Sequence, residues 1–350
     1  MNLYYDNLVY DLQQIGGIST YWYELTSRFL RSSGVKLKFY EAGAGNSNLL
    51  RRKLDLQRSA IASSSSNMML LERFRRLNDW HLESPGIFHS SYFRVPVRNS
   101  KVKLVSTVHD FTHSLYFSGP RAWLHNFAKS RSIRESDAII TVSEHTKKDL
   151  LRFYPDIAES KVRVIYNGVS EAFEQDDTIK SRKRLSLLYV GVRDAYKNFR
   201  FAVQVAATLP EGCLDIVGAP LSASERQFLD TMLKGRYQLH THVSTPELNQ
   251  LYNQASCLLY LSSYEGFGIP LLEAMCSGCP FIALNSSSIP EVAGNAGYLL
   301  DGLNLQEAKA ALITIISSRE LYASRGQQQA QKFSWDKCFS ETDQLYKSLI

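Results

Sequence analysis

The chain has 350 residues, enough for two ordinary domains with buried cores of their own. Its 44% hydrophobic and 21% charged residues are a globular rather than a disordered composition, and no apolar run reaches the ~18 residues that span a bilayer. The net charge of +6 implies anionic company without naming it, while five cysteines, an odd number in a long chain, fit reduced thiols in a cytosol.

Residues 1–14 mix Asp6, Asp11 and Gln13 into apolar positions and lack a basic leader. They read as a first strand over 3–9 rather than a signal peptide, which places the protein in the cytoplasm or on the cytoplasmic face of something. Gly16-Gly17-Ile18 then leads into a helix through Leu30. Residues 51–76 carry Arg51, Arg52, Lys53, Arg58, Arg73, Arg75 and Arg76 against Asp55 and Glu72, a local charge of +5. A solvated helix face accounts for that stretch; so does a surface that meets lipid phosphate or an anionic acceptor. The serine run 63–66 beside it reads as a loop.

Further strands are expected over 35–40, 87–89, 104–108, 138–142 and 162–165. A polar interval over 171–184 reads as an interdomain linker. A second alternation follows, with strands over 187–190, 214–217, 237–240, 257–261 and 281–283, and two helical stretches closing the chain, the last from Ser334. Strands alternating with helices predict an α/β protein of two Rossmann-like domains with a cleft between them. Ligands in such sheets bind beyond the carboxyl ends of the strands, so the chemistry is sought there.

The richest such segment is Tyr264-Glu265-Gly266-Phe267-Gly268-Ile269-Pro270-Leu271-Leu272-Glu273. Pro270 suits the first turn of a helix, and Gly266 and Gly268 let backbone amides approach an anion at the helix's positive end. Glu265 falls in the loop and Glu273 about one turn into the helix, two acceptors for ribose and sugar hydroxyls. A glycine turn with Glu273 merely favouring the helix dipole is the plain alternative. After the strand over 187–190, Arg193 and Lys197 place two cations where a diphosphate leaving group would need its charge neutralised without a metal. Two solvent-facing basic residues are the alternative there. His109-Asp110 follows the strand over 104–108, which puts His109 at the cleft mouth, able to orient or accept a proton, unless it is simply a buried, bonded histidine. Gly16-Gly17 is a weak signal by itself.

Glu265 and Glu273, seven residues apart, resemble the Glu-x7-Glu motif of glycosyltransferase family 4. The resemblance extends to Cys276-Ser277-Gly278-Cys279-Pro280, Ser288-Ile289-Pro290-Glu291-Val292, Tyr189-Val190-Gly191 with Arg193 and Lys197-Asn198, Val142-Ser143-Glu144, Tyr166-Asn167-Gly168-Val169 and Phe333-Ser334-Trp335. It is dense over 137–340 and looser before that, where Gly17 and His109-Asp110 carry it. It implies the GT-B fold: an N-terminal domain over 1–170 that binds acceptor, a linker over 171–184, a nucleotide-sugar domain over 185–333, and a helix over 334–350 that crosses back to the first domain.

It also implies retention of anomeric configuration and no metal. By resemblance, Arg193, Lys197 and the backbone at Gly17 hold the diphosphate, and Glu273 holds the ribose. Glu265 with Gly266, Phe267, Gly268 and Ile269 holds the donor sugar, Val243 meets the base, and His109 serves the reaction beside C6 of the sugar. The Arg193–Lys197 interval is shorter than in some relatives, which leaves Arg193 the less secure of the two. The branch it resembles builds bacterial surface polysaccharide. That implies a hexose donor, mannose or a deoxy relative, GDP-linked in preference to UDP-linked, and a glycan or lipid-linked glycan acceptor at the inner face of the cytoplasmic membrane.

Other signals are discounted. Cys276-x-x-Cys279 lacks a second pair for zinc, and His240-x-His242 shows no acidic or cysteine partner nearby in sequence. No Asp-x-Asp is present to bridge a metal and phosphates. An epimerase of the same architecture would need acid/base carboxylates that find no place here, and a non-catalytic binding module would not require His109 and Glu265. Nucleic-acid binding lacks any motif, and a nicotinamide enzyme would need a Gly-x-Gly-x-x-Gly that Gly16-Gly17 does not supply.

Overall fold

In the computed structural model, which describes residues 1–13, 16–41, 48–63, 74, 76–77, 82, 84–97, 101–179 and 185–350, apolar strands alternate with helices in two separate units. One comprises Met1–Asn167 together with Trp335–Ile350, the other Gly168–Ser334. The first holds β1 (Asn2–Asp6), β2 (Lys36–Glu41), β3 (Ile61–Ser63), β4 (Gly86–Ser90), β5 (Val102–Val108), β6 (Ala138–Thr141) and β7 (Val162–Val164), all parallel, in the order β3-β2-β1-β4-β5-β6-β7. The second holds β8 (Ser186–Val190), β9 (Cys213–Val217), β10 (Tyr237–His240), β11 (Cys257–Tyr260), β12 (Phe281–Leu284) and β13 (Tyr298–Leu300), in the parallel order β10-β9-β8-β11-β12-β13. Strands such as Ala138-Ile139-Ile140 and Phe281-Ile282-Ala283 are apolar on both faces because helices cover both sides of such sheets.

Several elements differ from expectation. β1 stops at Asp6, and Leu8–Leu12 forms a short helix, because a buried apolar run of this length fits either element. β3 and β13 were not anticipated; three residues are too few to show a period. The chain closes with three helices, Leu305–Ser317, Arg319–Ala330 and Trp335–Leu349, where two were expected. Of the serine loop over 63–66, only Ser63 is described, at the end of β3, and residues 180–184 of the expected linker lie outside the described residues.

The final helix completes the first core. Trp335, Cys338, Leu345 and Tyr346 pack with Tyr5, Trp22 and Phe29, each large side chain contributing roughly 2 kcal/mol of burial. The Tyr346 hydroxyl lies 3.2 Å from that of Tyr5 and also bonds to His89 Nδ1, whose Nε2 lies 2.8 Å from the Thr107 hydroxyl.

The discounted residues find ordinary roles. His240 does have an acidic partner, since its Nε2 lies 2.7 Å from Oδ1 of buried Asp215, contributed by the neighbouring strand β9. Cys279 is a buried free thiol and Cys276 a half-buried one. Two cations of the basic stretch are paired from outside it: Arg51 Nε is 2.6 Å from Glu41, and Arg76 forms a two-pronged pair with Glu135 at 2.5 and 2.7 Å. Arg73 and Arg75 lie outside the described residues.

In each sheet the strand order reverses beside the unit's first strand, between β1 and β4 and between β8 and β11. The loops leaving those strands diverge to opposite sides and leave a crevice for ligand.

Candidate functional site

The two loops beyond β8 and β11 are joined to each other. Residues 195–197 form a 3-10 turn, after which Asn198 adopts a left-handed conformation, φ 52°. That conformation, tolerated by asparagine better than by most residues, starts the helix Phe199–Ala207. The Asn198 side chain donates to the Leu261 carbonyl at 2.7 Å and to the Ser263 hydroxyl at 2.8 Å, while the Ser263 amide donates to the Tyr196 carbonyl at 2.7 Å. Lys197 is thereby held against the glycine loop, its Nζ 2.5 Å from Glu265 Oε1, both side chains mostly buried. Arg193 leaves the same strand end but takes its own carboxylate, with Nε 2.7 Å from Glu225 Oε1 and Nη2 2.8 Å from the Pro220 carbonyl. Arg193, with the Ser222 amide and hydroxyl, holds the Glu225 carboxyl down at about 2. Arg193 Nη1 is buried without a partner.

The glycine loop is propped by hydroxyls from the turn after β12. Ser287 Oγ accepts from the Glu265 amide at 2.8 Å, and Ser288 Oγ bonds the carbonyls of Glu265 and Phe267, each at 2.9 Å. Ser286 Oγ donates to the Ser263 carbonyl at 2.5 Å. Gly268 sits at φ +120°, where a side chain would be strained, and opens the helix Ile269–Cys276 with no side-chain cap on its first amides. A helix start of this kind attracts anions. Glu273 lies in the second turn, where Tyr252 Oη donates to its Oε2 at 2.8 Å and burial raises its carboxyl to about 7. Buried Tyr260 at the end of β11 feels both Glu265 and Glu273, and Lys197 Nζ lies 5.7 Å from its ring centre. Lys197, Glu265 and Glu273 thus share one neighbourhood. Val243, half-buried in the loop after β10, stands toward the other edge of the sheet.

His109 and Gly17 belong to the first unit. Gly17 is exposed as the first residue of the helix Gly17–Arg31, preceded by Gly16, whose amide and carbonyl both bond to the Ser19 hydroxyl. His109 follows β5 half-buried, its ring edge-on to Tyr21 with centroids 5.0 Å apart. Burial, helped by the Lys129 ammonium and opposed by Asp110, pushes its imidazole down to about 4, so the ring is neutral near pH 7. Its Nε2 is buried without a hydrogen-bond partner. An orphaned ring nitrogen on a neutral imidazole can bind a hydroxyl in either sense but is a poor proton acceptor.

Sequence reasoning did not assign a part to Tyr252, Asn198 or the three serines after β12. The run Ser286-Ser287-Ser288 beyond an apolar strand was the available signal; Tyr252 carried none.

Two family models match the chain nearly end to end, Glycosyltransferase Family 4 over residues 15–173 and Glycosyl transferases group 1 over 170–332. This chain belongs to glycosyltransferase family 4. Among curated relatives, the enzyme is 29% identical to O-antigen chain mannosyltransferase B of Escherichia coli, over 80% of this chain and 81% of that one. Its fold is shared with sucrose-phosphate synthase from Thermosynechococcus elongatus, at TM-score 0.77 and 16% identity over 100% and 99% of the two chains. Anabaena HepE, solved with UDP-glucose, matches at TM-score 0.77 and 15% identity over 99% and 100%. The two parallel-sheet units are those of a GT-B glycosyltransferase. Among the described residues no helix of this glycosyltransferase is long and apolar enough to cross a membrane, and no group of three or more histidine, cysteine or acidic side chains could hold a metal ion.

Proposed function

We propose that this glycosyltransferase moves a hexose, mannose or a deoxy relative, from a nucleoside-diphosphate sugar to a glycan or lipid-linked glycan in cell-surface polysaccharide synthesis. The transfer retains the anomeric configuration and uses side-chain cations in place of a metal. The observation that carries this reading is Lys197, locked by the joined loops beside Glu265 and the uncapped helix start at Gly268. A diphosphate laid there meets the ammonium, the amides of Gly266, Phe267, Gly268 and Ile269, and the unpartnered Arg193 Nη1.

Glu273 takes the ribose hydroxyls with the oxygen that Tyr252 leaves open. Glu265, released from Lys197 as the diphosphate arrives, takes hydroxyls of the donor sugar. The acceptor oxygen bonds to C1 on the face from which the C1–O bond to phosphate breaks. The bonding pair stays on the departing phosphate oxygen, which also receives the acceptor proton. His109, neutral, positions a sugar hydroxyl through Nε2 rather than acting as nucleophile, Gly17 presents a backbone amide to the diphosphate, and Val243 borders the base.

Mannose is supported by the name of the O-antigen mannosyltransferase relative, the GDP link only by the sequence resemblance, and a UDP-linked hexose by the UDP-glucose complex of HepE. The acceptor end is assigned to the inner face of the cytoplasmic membrane. The stretch over 51–76 supports that contact less well than its sequence implies, because Arg51 and Arg76 are already paired. Unchanged vesicle binding after glutamine replaces Arg52, Lys53 and Arg58 would remove it. Calorimetric titration of GDP, UDP, ADP and dTDP with EDTA present tests the central reading. One diphosphate binding at about micromolar strength names the base and the metal-free site; no binding by any of them overturns it.

A further inference from the structure

A turn that needs a residue at positive φ ordinarily takes glycine or asparagine, because other side chains are strained there. Ser287, in the turn after β12, holds φ 52° all the same. The other non-glycine residues at positive φ among those described are Phe93, which belongs to the first unit, and Asn198, Lys234 and His242. Asparagine and histidine tolerate the region, and Lys234 caps the end of the helix Ala223–Leu233. Ser287 is of neither type and ends no helix. Its hydroxyl is what glycine would lack. Ser287 Oγ accepts from the Glu265 amide at 2.8 Å, against the residue whose Oε1 meets Lys197 Nζ at 2.5 Å. The neighbouring serines use their protons on main-chain carbonyls: Ser286 on Ser263, and buried Ser288 on Glu265 and Phe267. Half-buried Ser287 accepts one bond and donates none among the described residues. A serine hydroxyl carries one proton and rotates to suit its acceptor. Ser287 therefore presents an uncommitted donor beside Glu265, whose ionised carboxylate is an acceptor only.

A hexose offers adjacent hydroxyls, each both donor and acceptor, and a carboxylate satisfies only their protons. A hydroxyl donor next to the carboxylate satisfies an oxygen lone pair, so the two together read a pair of neighbouring hydroxyls. We propose that Ser287 is a further donor-sugar residue: its Oγ fixes Glu265 through the amide, and its proton goes to the oxygen of a hexose hydroxyl adjacent to the one from which Glu265 accepts. The inference deepens the donor site assigned above and rests on that reading. Propping the loop uses only the acceptor side of the Ser287 hydroxyl, and the donor side is left for the ligand. No covalent bond changes at Ser287. It selects among hexoses, because a sugar lacking or inverting that hydroxyl leaves the proton without its acceptor.

The test starts from titration of GDP, UDP, ADP and dTDP into the full chain, which identifies the base. The mannose and glucose conjugates of that diphosphate, and their forms deoxygenated singly at C2, C3, C4 or C6, are then the probes. Ser287→Gly keeps its thermal midpoint and holds affinity for the bare diphosphate within about twofold, since glycine takes this φ without strain. Its kcat/KM for the intact donor falls about tenfold. The one deoxy donor that costs the native enzyme about tenfold costs Ser287→Gly nothing more, because the proton it would have accepted is gone. Ser287→Ala shows the same donor-specific loss with a lower thermal midpoint, and it carries the deoxy series should the glycine variant not fold. Equal losses for bare diphosphate and intact donor, or deoxy losses that stay additive with the substitution, overturn this role and leave the donor site standing. Absence of diphosphate binding by the native chain overturns the donor site and this role with it.

Discussion

The two strand reversals of this molecule are built from opposite materials. Between β8 and β11 the crevice is bordered by ions: Lys197 with Glu265 and Arg193 with Glu225, set on loops cross-bonded by Asn198 and propped by Ser286, Ser287 and Ser288. Between β1 and β4 the groups are dry. Asp6 is fully buried, accepts from the Ser91 amide at 2.5 Å, and is raised by burial to about 6. One strand further along the same sheet, His109 is held neutral. The contrast separates ion pairs set on cross-bonded loops from buried groups whose protonation desolvation shifts; in the reading proposed above the former meet the diphosphate and neutral His109 meets a hydroxyl.

The contrast breaks first at Lys197. Lys197→Ala should lower kcat/KM for the donor by about 100-fold or more, because the ammonium lies against the glycine loop while Arg193 is mostly engaged by Glu225 and the Pro220 carbonyl. A loss under fivefold would mean that the charged border is structural. His109→Ala should lower kcat about tenfold while calorimetric affinity for the nucleoside diphosphate stays within about twofold, a hydroxyl-positioning rather than charge-binding signature. Its ring should also show no NMR titration between pH 5.5 and 8.

The pH dependence of nucleotide affinity sharpens the comparison. Glu273 titrates near 7, so affinity should fall several-fold as pH drops through 7 and the carboxyl loses its acceptor character; Glu273→Gln should flatten the profile. The sign for stability is the reverse. The folded value lies above the ordinary 4.5, so the stabilising contribution of Glu273 is full at low pH and is lost as pH rises from about 4.5 to 7.

Asn198→Ala should cost about 2 kcal/mol by chemical denaturation, combining two lost hydrogen bonds with a left-handed alanine. Asn198→Gly should recover only the part due to strain. The smallest effect is expected at Arg193. Arg193→Gln should change donor KM by about threefold or less, since Glu225 already engages most of its guanidinium. A change as large as that of Lys197→Ala would show that Glu225 yields to the donor.

Much of this was legible because it is local. The glycine loop, Pro270 and the two glutamates lie in ten consecutive residues, and strand alternation alone implied two parallel sheets. What stayed hidden depends on partners distant in sequence. Tyr252 reaches Glu273 across 21 residues, and Asp215 meets His240 across 25, so a histidine judged to lack an acidic neighbour has one on the adjacent strand. Leu8-Val9, expected at the end of the strand over 3–9, opens a helix instead, because burial on a short helix and burial in a sheet leave the same apolar run. The two cations after β8 were legible as cations, but their division between Glu225 and Glu265 was not.

The helix Trp335–Leu349 gives this fold an order of assembly. Tyr346 closes a core against Tyr5 from 341 residues away, with the entire second unit spliced between them. At ribosomal speeds of about 5–20 residues per second, the apolar side of the helix Gly17–Arg31 waits roughly 15–65 s for its cover. The first unit, although begun first, is the last to be finished, and through that interval the nascent chain offers a chaperone the surface that Phe29, Trp22 and Tyr5 later seal.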